Sequence, residues 1–232
     1  MEKIQGKVIY ISGGTKGIGL GIAISAIQNG MKVAISGRHI DNKTESLFPA
    51  DSWLTIQSDV KNENDELLAI KSILDKWGRL DVLVANAGVG HFAPIDLLTS
   101  DQWHDTINTN LTGVFNSVKA SIPALKVSKG YIITMASLAG TNFFANGGAY
   151  NASKFGLVGF SQAIMLDLRP YRIKVTTIMP GSVATYFNNH LPDEKDNWKI
   201  QPEDIGQLVI DLLKMNPRTL PSKIEVRPSQ TS

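Results

Sequence analysis

A tyrosine and a lysine stand four positions apart, Tyr150 and Lys154, a spacing that places both on one face of a helix. The phenol of free tyrosine has a pKa near 10, which makes it a poor proton donor or acceptor at neutral pH. An ammonium about 4 Å away, at an effective dielectric constant of ~20, favours the phenolate by about 4 kcal/mol, or roughly three pKa units before desolvation opposes it. The pair therefore predicts general acid–base catalysis by Tyr150.

A serine is expected near this pair. Ser137 closes the fifth of seven predicted strands, which puts it at the carboxyl edge of a sheet. Active sites of parallel α/β sheets form at that edge.

Seven short runs rich in β-branched residues alternate with helical stretches. They span residues 7–12, 32–36, 53–57, 81–85, 131–136, 173–178 and 224–227. Several are apolar at successive positions, which suits parallel strands covered on both faces. The alternation predicts an α/β fold, a single-domain Rossmann-like, doubly wound parallel sheet of about seven strands with helices on both faces.

The clearest helix is predicted at 101–125, where apolar residues recur every three or four positions from Trp103 to Leu125. The polar segment 38–52 can hold only a brief helix. No linker divides the chain, so residues 1–232 are expected to form one domain. Within it, the irregular stretch 182–201 is expected to be a substrate loop.

A glycine-rich turn follows the first predicted strand and opens into an apolar helix. Glycine lets the backbone approach a pyrophosphate closely, and the free N–H groups of a helix start bind anions. Glycine-rich loops are common, so it is the position between strand and helix that favours a dinucleotide site. The residues of the predicted site are Ser12, Gly13, Thr15, Lys16, Gly17, Ile18 and Gly19.

The end of the second predicted strand bears on the type of nucleotide. It reads Ser36-Gly37-Arg38 and offers no carboxylate for a ribose 2′-hydroxyl. Arg38, together with Lys16 of the glycine turn, suits a 2′-phosphate, although each cation alone is also consistent with a solvated surface side chain. The two together predict NADP(H) as the preferred cofactor, with NAD(H) as the alternative.

Two further turns are candidate cofactor contacts. Asp59, followed by Val60, comes after the third strand and can accept from an adenine amino group; a helix N-cap is the alternative. Asn86, Ala87 and Gly88 follow the fourth strand, and their small side chains would let the chain pass under the cofactor. A plain turn explains these three residues almost as well.

These motifs together resemble the short-chain dehydrogenase/reductase family. They are Ser12-Gly13-x-x-x-Gly17-Ile18-Gly19, Asn86-Ala87-Gly88, Asn110, Ser137, Tyr150-x-x-x-Lys154 and Pro180-Gly181-x-Val183-x-Thr185, in the family's order and spacing over about residues 7–185. The first serine stands where threonine is commoner. The segment 38–52 and the region after Thr185 are shorter than usual.

The resemblance implies hydride transfer at a carbonyl or alcohol carbon, with a role for each matching residue. Tyr150 would be the acid–base residue, Ser137 would hold the substrate oxygen, and Lys154 would bind the nicotinamide ribose and depress the tyrosine pKa. Asn110 would hold a water in the proton relay. The nicotinamide carboxamide would be framed by Pro180, Gly181, Val183 and Thr185.

The predicted function is that of an NADP(H)-dependent carbonyl reductase or alcohol dehydrogenase. The alternatives are a 3-oxoacyl thioester reductase of the same family and a non-catalytic NADP-binding sensor or scaffold. Candidate substrate-pocket residues on loops are His91, Phe92, Phe143 and Phe144; the alternatives are a solvated histidine for His91 and core packing for Phe143 and Phe144.

Composition excludes several classes. The 23 Lys and Arg against 21 Asp and Glu leave a net charge of +2, too small for a dedicated nucleic-acid binder. The chain has no cysteine and its four histidines lack ligand spacing, so no metal site is expected. No apolar run approaches a membrane span, and a cytoplasmic protein that does not bind membranes is expected.

The helix that carries Tyr150 continues without a charged residue from Phe155 to Leu166. A helix that is apolar all round needs burial on both sides. We therefore expect a homodimer or homotetramer assembled through the helices at 101–125 and 150–168, as the family resemblance also implies. A C-terminal segment folded back over the helix is the alternative.

Overall fold

The computed structural model describes residues 3–230, which contain one parallel sheet in the strand order β3-β2-β1-β4-β5-β6-β7. The strands are β1 (Val8–Ser12), β2 (Lys32–Gly37), β3 (Trp53–Gln57), β4 (Val82–Ala85), β5 (Tyr131–Met135), β6 (Lys174–Pro180) and β7 (Lys223–Val226). Each lies within two residues of its expected bounds. The strand order reverses direction beside β1, so the predicted doubly wound fold is confirmed.

Helices cover both faces of the sheet. They are α1 (Gly17–Gln28), α2 (Asn42–Glu45), α3 (Glu63–Trp77), α4 (Ser100–Ile107), α5 (Gly113–Ser128), α6 (Gly148–Leu168) and α7 (Pro202–Lys214). Buried residues of α1 and α7 share one core with one face of the sheet, and those of α3, α5 and α6 share a second core with the other face. None of the helices within 3–230 is long and apolar enough to cross a membrane.

The alternation of side chains along β1 shows why the sheet needs both layers. Ile9 and Ile11 point into the α1 and α7 core, whereas Val8 and Tyr10 point into the other one. All four are fully buried. A strand that is apolar at every position therefore fits only between two helical layers.

The helix predicted at 101–125 is interrupted. A π-helical turn at Asn108–Thr112 separates α4 from α5. The extra residue of a π turn rotates α4 relative to α5 about the helix axis, so the predicted apolar residues do not all lie on one buried face. Val114 and Val118 are buried, but Trp103 of α4 is exposed.

The two irregular segments are anchored. The brief helix expected within 38–52 is α2, with Asp41 as its N-cap. The segment 182–201 contains 3₁₀ turns at Phe187–Asn189 and Glu194–Asp196. Its ends are joined by backbone hydrogen bonds from Ala184 N to Ile200 O (2.9 Å) and from Ile200 N to Ser182 O (3.1 Å).

Candidate active site

A cavity of about 1290 Å³ lies along the carboxyl edge of the sheet. The loops that follow β1 to β6 all contribute to its walls. Of the residues predicted from sequence, those that line it are Gly13, Thr15, Lys16, Gly17, Ile18, Arg38, Asp59, Val60, Asn86, Ala87, Gly88, Ser137, Tyr150, Lys154, Pro180, Gly181, Val183 and Thr185. The fold therefore brings residues from distant parts of the chain to one site.

Three predicted site residues lie behind the cavity wall instead of lining it. The Ser12 hydroxyl accepts hydrogen bonds from the backbone N–H groups of Asn86 (3.1 Å) and Ala87 (3.3 Å). A Cβ at Gly19 would lie 2.4 Å from the Gly13 carbonyl oxygen, so glycine lets α1 pack against its own turn. Asn110 is fully buried.

The side chain of Asn110 is occupied by the protein itself. Its amide nitrogen donates to Val89 O (2.9 Å) and Ser153 Oγ (3.0 Å), and its oxygen accepts from Val89 N (2.8 Å). Both amide hydrogens are therefore used. The residue ties the π turn to α6 and to the loop after β4, and its side chain has no hydrogen left to donate to a water.

The start of α1 has the chemistry of a phosphate site. Lys16 is the N-cap and makes no side-chain cap, and the first turn contains no acidic residue. Unsatisfied N–H groups and the positive end of the helix dipole therefore face the cavity. Gly17 has φ of +56°, a conformation that favours glycine. These features fit a dinucleotide pyrophosphate.

The part of the cavity next to β2 carries the two predicted cations, Lys16 and Arg38, and also Lys43. A Cβ at Gly37 would lie 2.8 Å from Thr15 Cγ2, so the close packing of Thr15 leaves no room for a carboxylate at that position. Asp41, which sequence reasoning overlooked, also lines the cavity. Its carboxylate accepts from Thr44 N (2.7 Å), and interactions with the Thr44 side chain and then with this backbone N–H lower the pKa of Asp41.

Asp59 is not the N-cap of α3, so that alternative is wrong. Asn62 caps the helix by accepting from Asn64 N at 3.0 Å. Asp59 Oδ1 instead accepts from Lys61 N at 3.0 Å, which holds its carboxylate in the turn at the cavity wall.

Ser137 and Tyr150 line the cavity together; burial raises the pKa of Tyr150, and the nearby Ser137 hydroxyl partly lowers it. Ser137 Oγ also accepts from Ala139 N at 3.1 Å, because Ser137 caps the 3₁₀ turn Leu138–Gly140. The cap fixes the serine side chain at the end of β5. Two hydroxyl-bearing residues thus line one cavity.

Lys154 is almost fully buried, and burial lowers its pKa to about 8. Its Nζ donates to Met135 O at 2.9 Å and lies 5.6 Å from the centre of the Tyr150 ring. An ammonium carries three donors, so two remain for a ligand. In this structure burial of the phenol raises the pKa of Tyr150, so any lowering by Lys154 does not outweigh burial.

Aromatic rings surround Tyr150 at the other end of the cavity. The ring centres of Phe92 and Phe187 lie 5.4 and 5.6 Å from that of Tyr150, and Phe144 lies 5.8 Å from Phe92. Phe143, by contrast, is 84% exposed and stacks on Phe155, so it is neither pocket wall nor core. Sequence reasoning missed Phe187, since only the fold of 182–201 brings it near Tyr150.

The model of the short chain dehydrogenase family matches residues 7–196. The chain belongs to the short-chain dehydrogenase family. The match spans β1 to β6 and the side chains around Tyr150 described above. The protein is therefore an oxidoreductase of this family.

Curated relatives and solved structures agree with this family membership. The chain is 34% identical over 194 residues to trans-4-hydroxycyclohexanecarboxylate dehydrogenase of Sinomonas cyclohexanicum (79% of this chain, 75% of the relative). It is 33% identical over 192 residues to the NADP-dependent (R)-specific alcohol dehydrogenase of Lentilactobacillus kefiri (79% and 76%). The structure of an alcohol dehydrogenase from Thermococcus sibiricus, in complex with 5-hydroxy-NADP, superimposes with a TM-score of 0.91 at 26% identity (98% and 99%).

Proposed function

We propose that the protein is an NADP(H)-dependent oxidoreductase that transfers a hydride between nicotinamide and a carbonyl or secondary alcohol substrate. One observation carries this proposal: the Ser137–Tyr150 pair and the buried Lys154 share a single cavity with the uncapped start of α1. Proton-transfer groups and a phosphate-binding helix end in one cavity suit a dinucleotide-dependent reaction.

Tyr150 holds and moves the proton. In reduction, the Tyr150 hydroxyl donates a hydrogen bond to the carbonyl oxygen and passes its proton to that oxygen as the alcohol forms. Ser137 orients the same oxygen through its hydroxyl. In oxidation, the Tyr150 phenolate takes the proton from the alcohol. A bound nicotinamide supplies the hydride in one direction and accepts it in the other.

The remaining donors of Lys154 suit the hydroxyls of the nicotinamide ribose. The start of α1 binds the pyrophosphate, Asp59 and Val60 contact the adenine, and the small turn Asn86–Gly88 passes under the cofactor. The carboxamide is framed by residues after β6, which are Pro180, Gly181, Val183 and Thr185. Every one of these residues lines the same cavity, which supports a continuous cofactor site.

NADP(H) is the proposed preference because Lys16 and Arg38 flank the adenosine end and Gly37 carries no carboxylate. The NADP dependence of the Lentilactobacillus kefiri relative supports the same assignment. A non-catalytic NADP-binding sensor is disfavoured, since such a protein would not need a proton-transfer residue, and here Tyr150 is present together with Lys154 in the same cavity.

The proposed assembly is a homodimer or homotetramer through α5 and α6. The outer face of these helices exposes Phe115 (44%), Phe155 (41%) and Leu166 (59%). Within residues 3–230 the C-terminal helix α7 packs on α1, on the opposite face of the sheet, so it does not cover them. Gly156 packs on Leu111 of its own chain, whereas a Cβ at Gly159 would meet nothing within 4 Å.

A carbonyl screen tests the proposed activity. Ketones, diketones, quinones and ketoacyl thioesters would be supplied with NADPH and, separately, with NADH, and the loss of reduced nicotinamide would be followed by absorbance. We expect at least one neutral ketone to be reduced with higher kcat/KM for NADPH than for NADH. Absence of turnover with every class, despite tight NADPH binding, would favour the sensor.

A further inference from the structure

We propose that the active site selects neutral ketones that carry a ring on the carbonyl carbon, and that Phe92 and Phe187 set this preference. The proposal rests on the proposed function, in which Tyr150 exchanges a proton with the carbonyl oxygen. It adds the chemical class of the substrate and names two residues that recognise it.

Phe92 is the centre of an aromatic cluster, defined as Phe92, Phe144, Tyr150 and Phe187. The centre of its ring lies 5.8 Å from that of Phe144, 5.4 Å from that of Tyr150 and 6.3 Å from that of Phe187. The contacts with Tyr150 and Phe187 are edge-to-face. Phe187 also lies 5.6 Å from Tyr150. A group attached to a carbonyl held at the Tyr150 hydroxyl must therefore lie beside aromatic rings, which favour another ring in an offset or edge-to-face arrangement.

The backbone holds these rings in place. A Cβ at Gly90 would lie 2.6 Å from Phe187 Cζ and 2.9 Å from Phe92 Cζ, so both rings pack directly on the backbone of Gly90. The Phe187 N–H donates to Thr185 Oγ1 at 3.3 Å, which links the 3₁₀ turn to a residue of the cavity wall. Tyr150 and Phe187 of the cluster thus line the cavity, and Phe92 packs against both of these rings without itself being a lining residue.

Three segments form an apolar rim around the cluster, namely residues 90–97, 142–147 and 185–191. The Ala93 N–H donates to Asn146 O at 3.0 Å and joins the first two. Large apolar side chains are exposed on all three segments: Ile95 (82%), Leu97 (67%), Phe144 (49%), Tyr186 (51%) and Leu191 (74%). Exposed apolar side chains on the segments that carry the cluster are available to contact an apolar substrate.

The charges at this end of the cavity argue against an anionic substrate. His190 and Lys199, which both line it, contact the same buried carboxylate, Asp196. His91 contacts Asp105 at 3.0 Å. Apart from Lys154, whose remaining donors the proposed function assigns to the nicotinamide ribose, the basic side chains that the described residues place on this part of the wall are therefore paired within the chain. A substrate carboxylate would be desolvated among aromatic rings without a free partner.

The test compares two pairs of ketones in the unmodified protein with NADPH. The first pair is acetophenone and a straight-chain methyl ketone of equal carbon number. The second is para-acetylbenzoate and its methyl ester, which differ chiefly in charge. We expect kcat/KM to be at least about threefold higher for the aryl ketone, the lower range for one aromatic contact, and at least about tenfold higher for the ester than for the carboxylate.

Variants assign the preference to the two phenylalanines. Phe187→Ala and Phe92→Ala should each reduce the ratio of aryl to straight-chain kcat/KM at least about twofold, with NADPH affinity retained. Phe143→Ala is the matched control, since this exposed ring stacks on Phe155 away from Tyr150, and it should leave the ratio unchanged. NADPH affinity, measured by fluorescence, shows that each variant is folded.

The two proposals fail in different ways. Reduction of both ketone pairs without preference for the ring, or with preference for the carboxylate, would overturn the selectivity and leave the proposed function intact. An unchanged ratio in Phe187→Ala and Phe92→Ala would overturn the assignment to these residues. No reduction of any ketone would overturn the proposed function and the selectivity together.

Discussion

Lys154 and Tyr150 share one face of α6, yet the ammonium donates its hydrogen bond to the Met135 carbonyl and not to the phenol. Burial lowers the pKa of Lys154 to about 8 and raises the pKa of Tyr150. The fold therefore opposes charge on both side chains. A charged group retained in such a place is expected at a functional site, and it leads to a prediction about stability.

Lys154→Met should stabilise the protein without cofactor. The folded-state pKa of about 8 lies below the ordinary value of 10.5. Between these two pH values the folded chain therefore binds fewer protons than the unfolded chain. The free-energy cost of burying the ammonium is fully present below pH 8. We expect the free energy of unfolding at neutral pH to rise by roughly 1–3 kcal/mol, with a smaller gain above pH 10, as measured by denaturant titration.

The control is Lys71→Met, because Lys71 is exposed on α3 and pairs with Asp75. It should change the free energy of unfolding by less than about 0.5 kcal/mol. A clear loss of stability in Lys154→Met at neutral pH would show that the hydrogen bond to Met135 outweighs the cost of burial.

Reduction and oxidation should respond to pH in opposite directions. Reduction needs the protonated phenol, and since burial raises the pKa of Tyr150, its rate should be flat through neutral pH and fall only in alkali. Oxidation needs the phenolate, so kcat/KM should rise about tenfold per pH unit below that pKa. Rates measured in both directions in one buffer series test this. A flat oxidation profile across neutral pH would contradict the role of Tyr150 as base.

Arg38→Asp should shift the cofactor preference from NADPH towards NADH. The change removes a cation from the adenosine end and supplies an acceptor for a free 2′-hydroxyl. We expect the ratio of kcat/KM for NADPH to that for NADH to fall at least about tenfold, the range for one charged hydrogen bond. Arg218→Asp, an exposed position outside the cavity, is the control. Equal kcat/KM for both cofactors in the unmodified protein would contradict the proposed preference.

Light scattering at micromolar concentration should give a mass at least twice the 25.2 kDa of one chain. The apolar face of α5 and α6 explains this expectation, because an exposed surface of that kind is stabilised by an identical surface of another copy. Leu166→Glu should shift the protein towards the monomer. Leu68→Glu, on the exposed side of α3, should not. A stable, active species with the mass of one chain would refute the shared interface.

The sheet and the main site residues could be predicted because their signals are local. The β-branched runs predict the seven strands. Short stretches of sequence also show the four-residue spacing of Tyr150 and Lys154 and the position of Ser137 at a strand end. The identity of Gly37 and Arg38 at the end of the second strand is an equally local signal. Backbone topology then brings these positions together without further information.

The remaining features depend on packing between distant segments. The π turn at Asn108–Thr112 leaves the apolar spacing of the helix intact, so periodicity does not reveal it. Phe187 contacts Tyr150 only because the segment 182–201 folds across the cavity. The raised pKa of Tyr150 follows from burial by such neighbours, which an estimate from the Tyr150 and Lys154 charges alone omits.

The kcat of Tyr150→Phe tests the central claim most directly, namely that Tyr150 exchanges the proton with the substrate oxygen. Phenylalanine keeps the ring among Phe92 and Phe187 but removes the hydroxyl that would exchange the proton. We predict that kcat for NADPH-dependent ketone reduction falls at least ~100-fold while NADPH affinity is largely retained. Tyr171→Phe, on the surface beside Lys126, should leave kcat unchanged. Near-normal reduction by Tyr150→Phe would contradict the account.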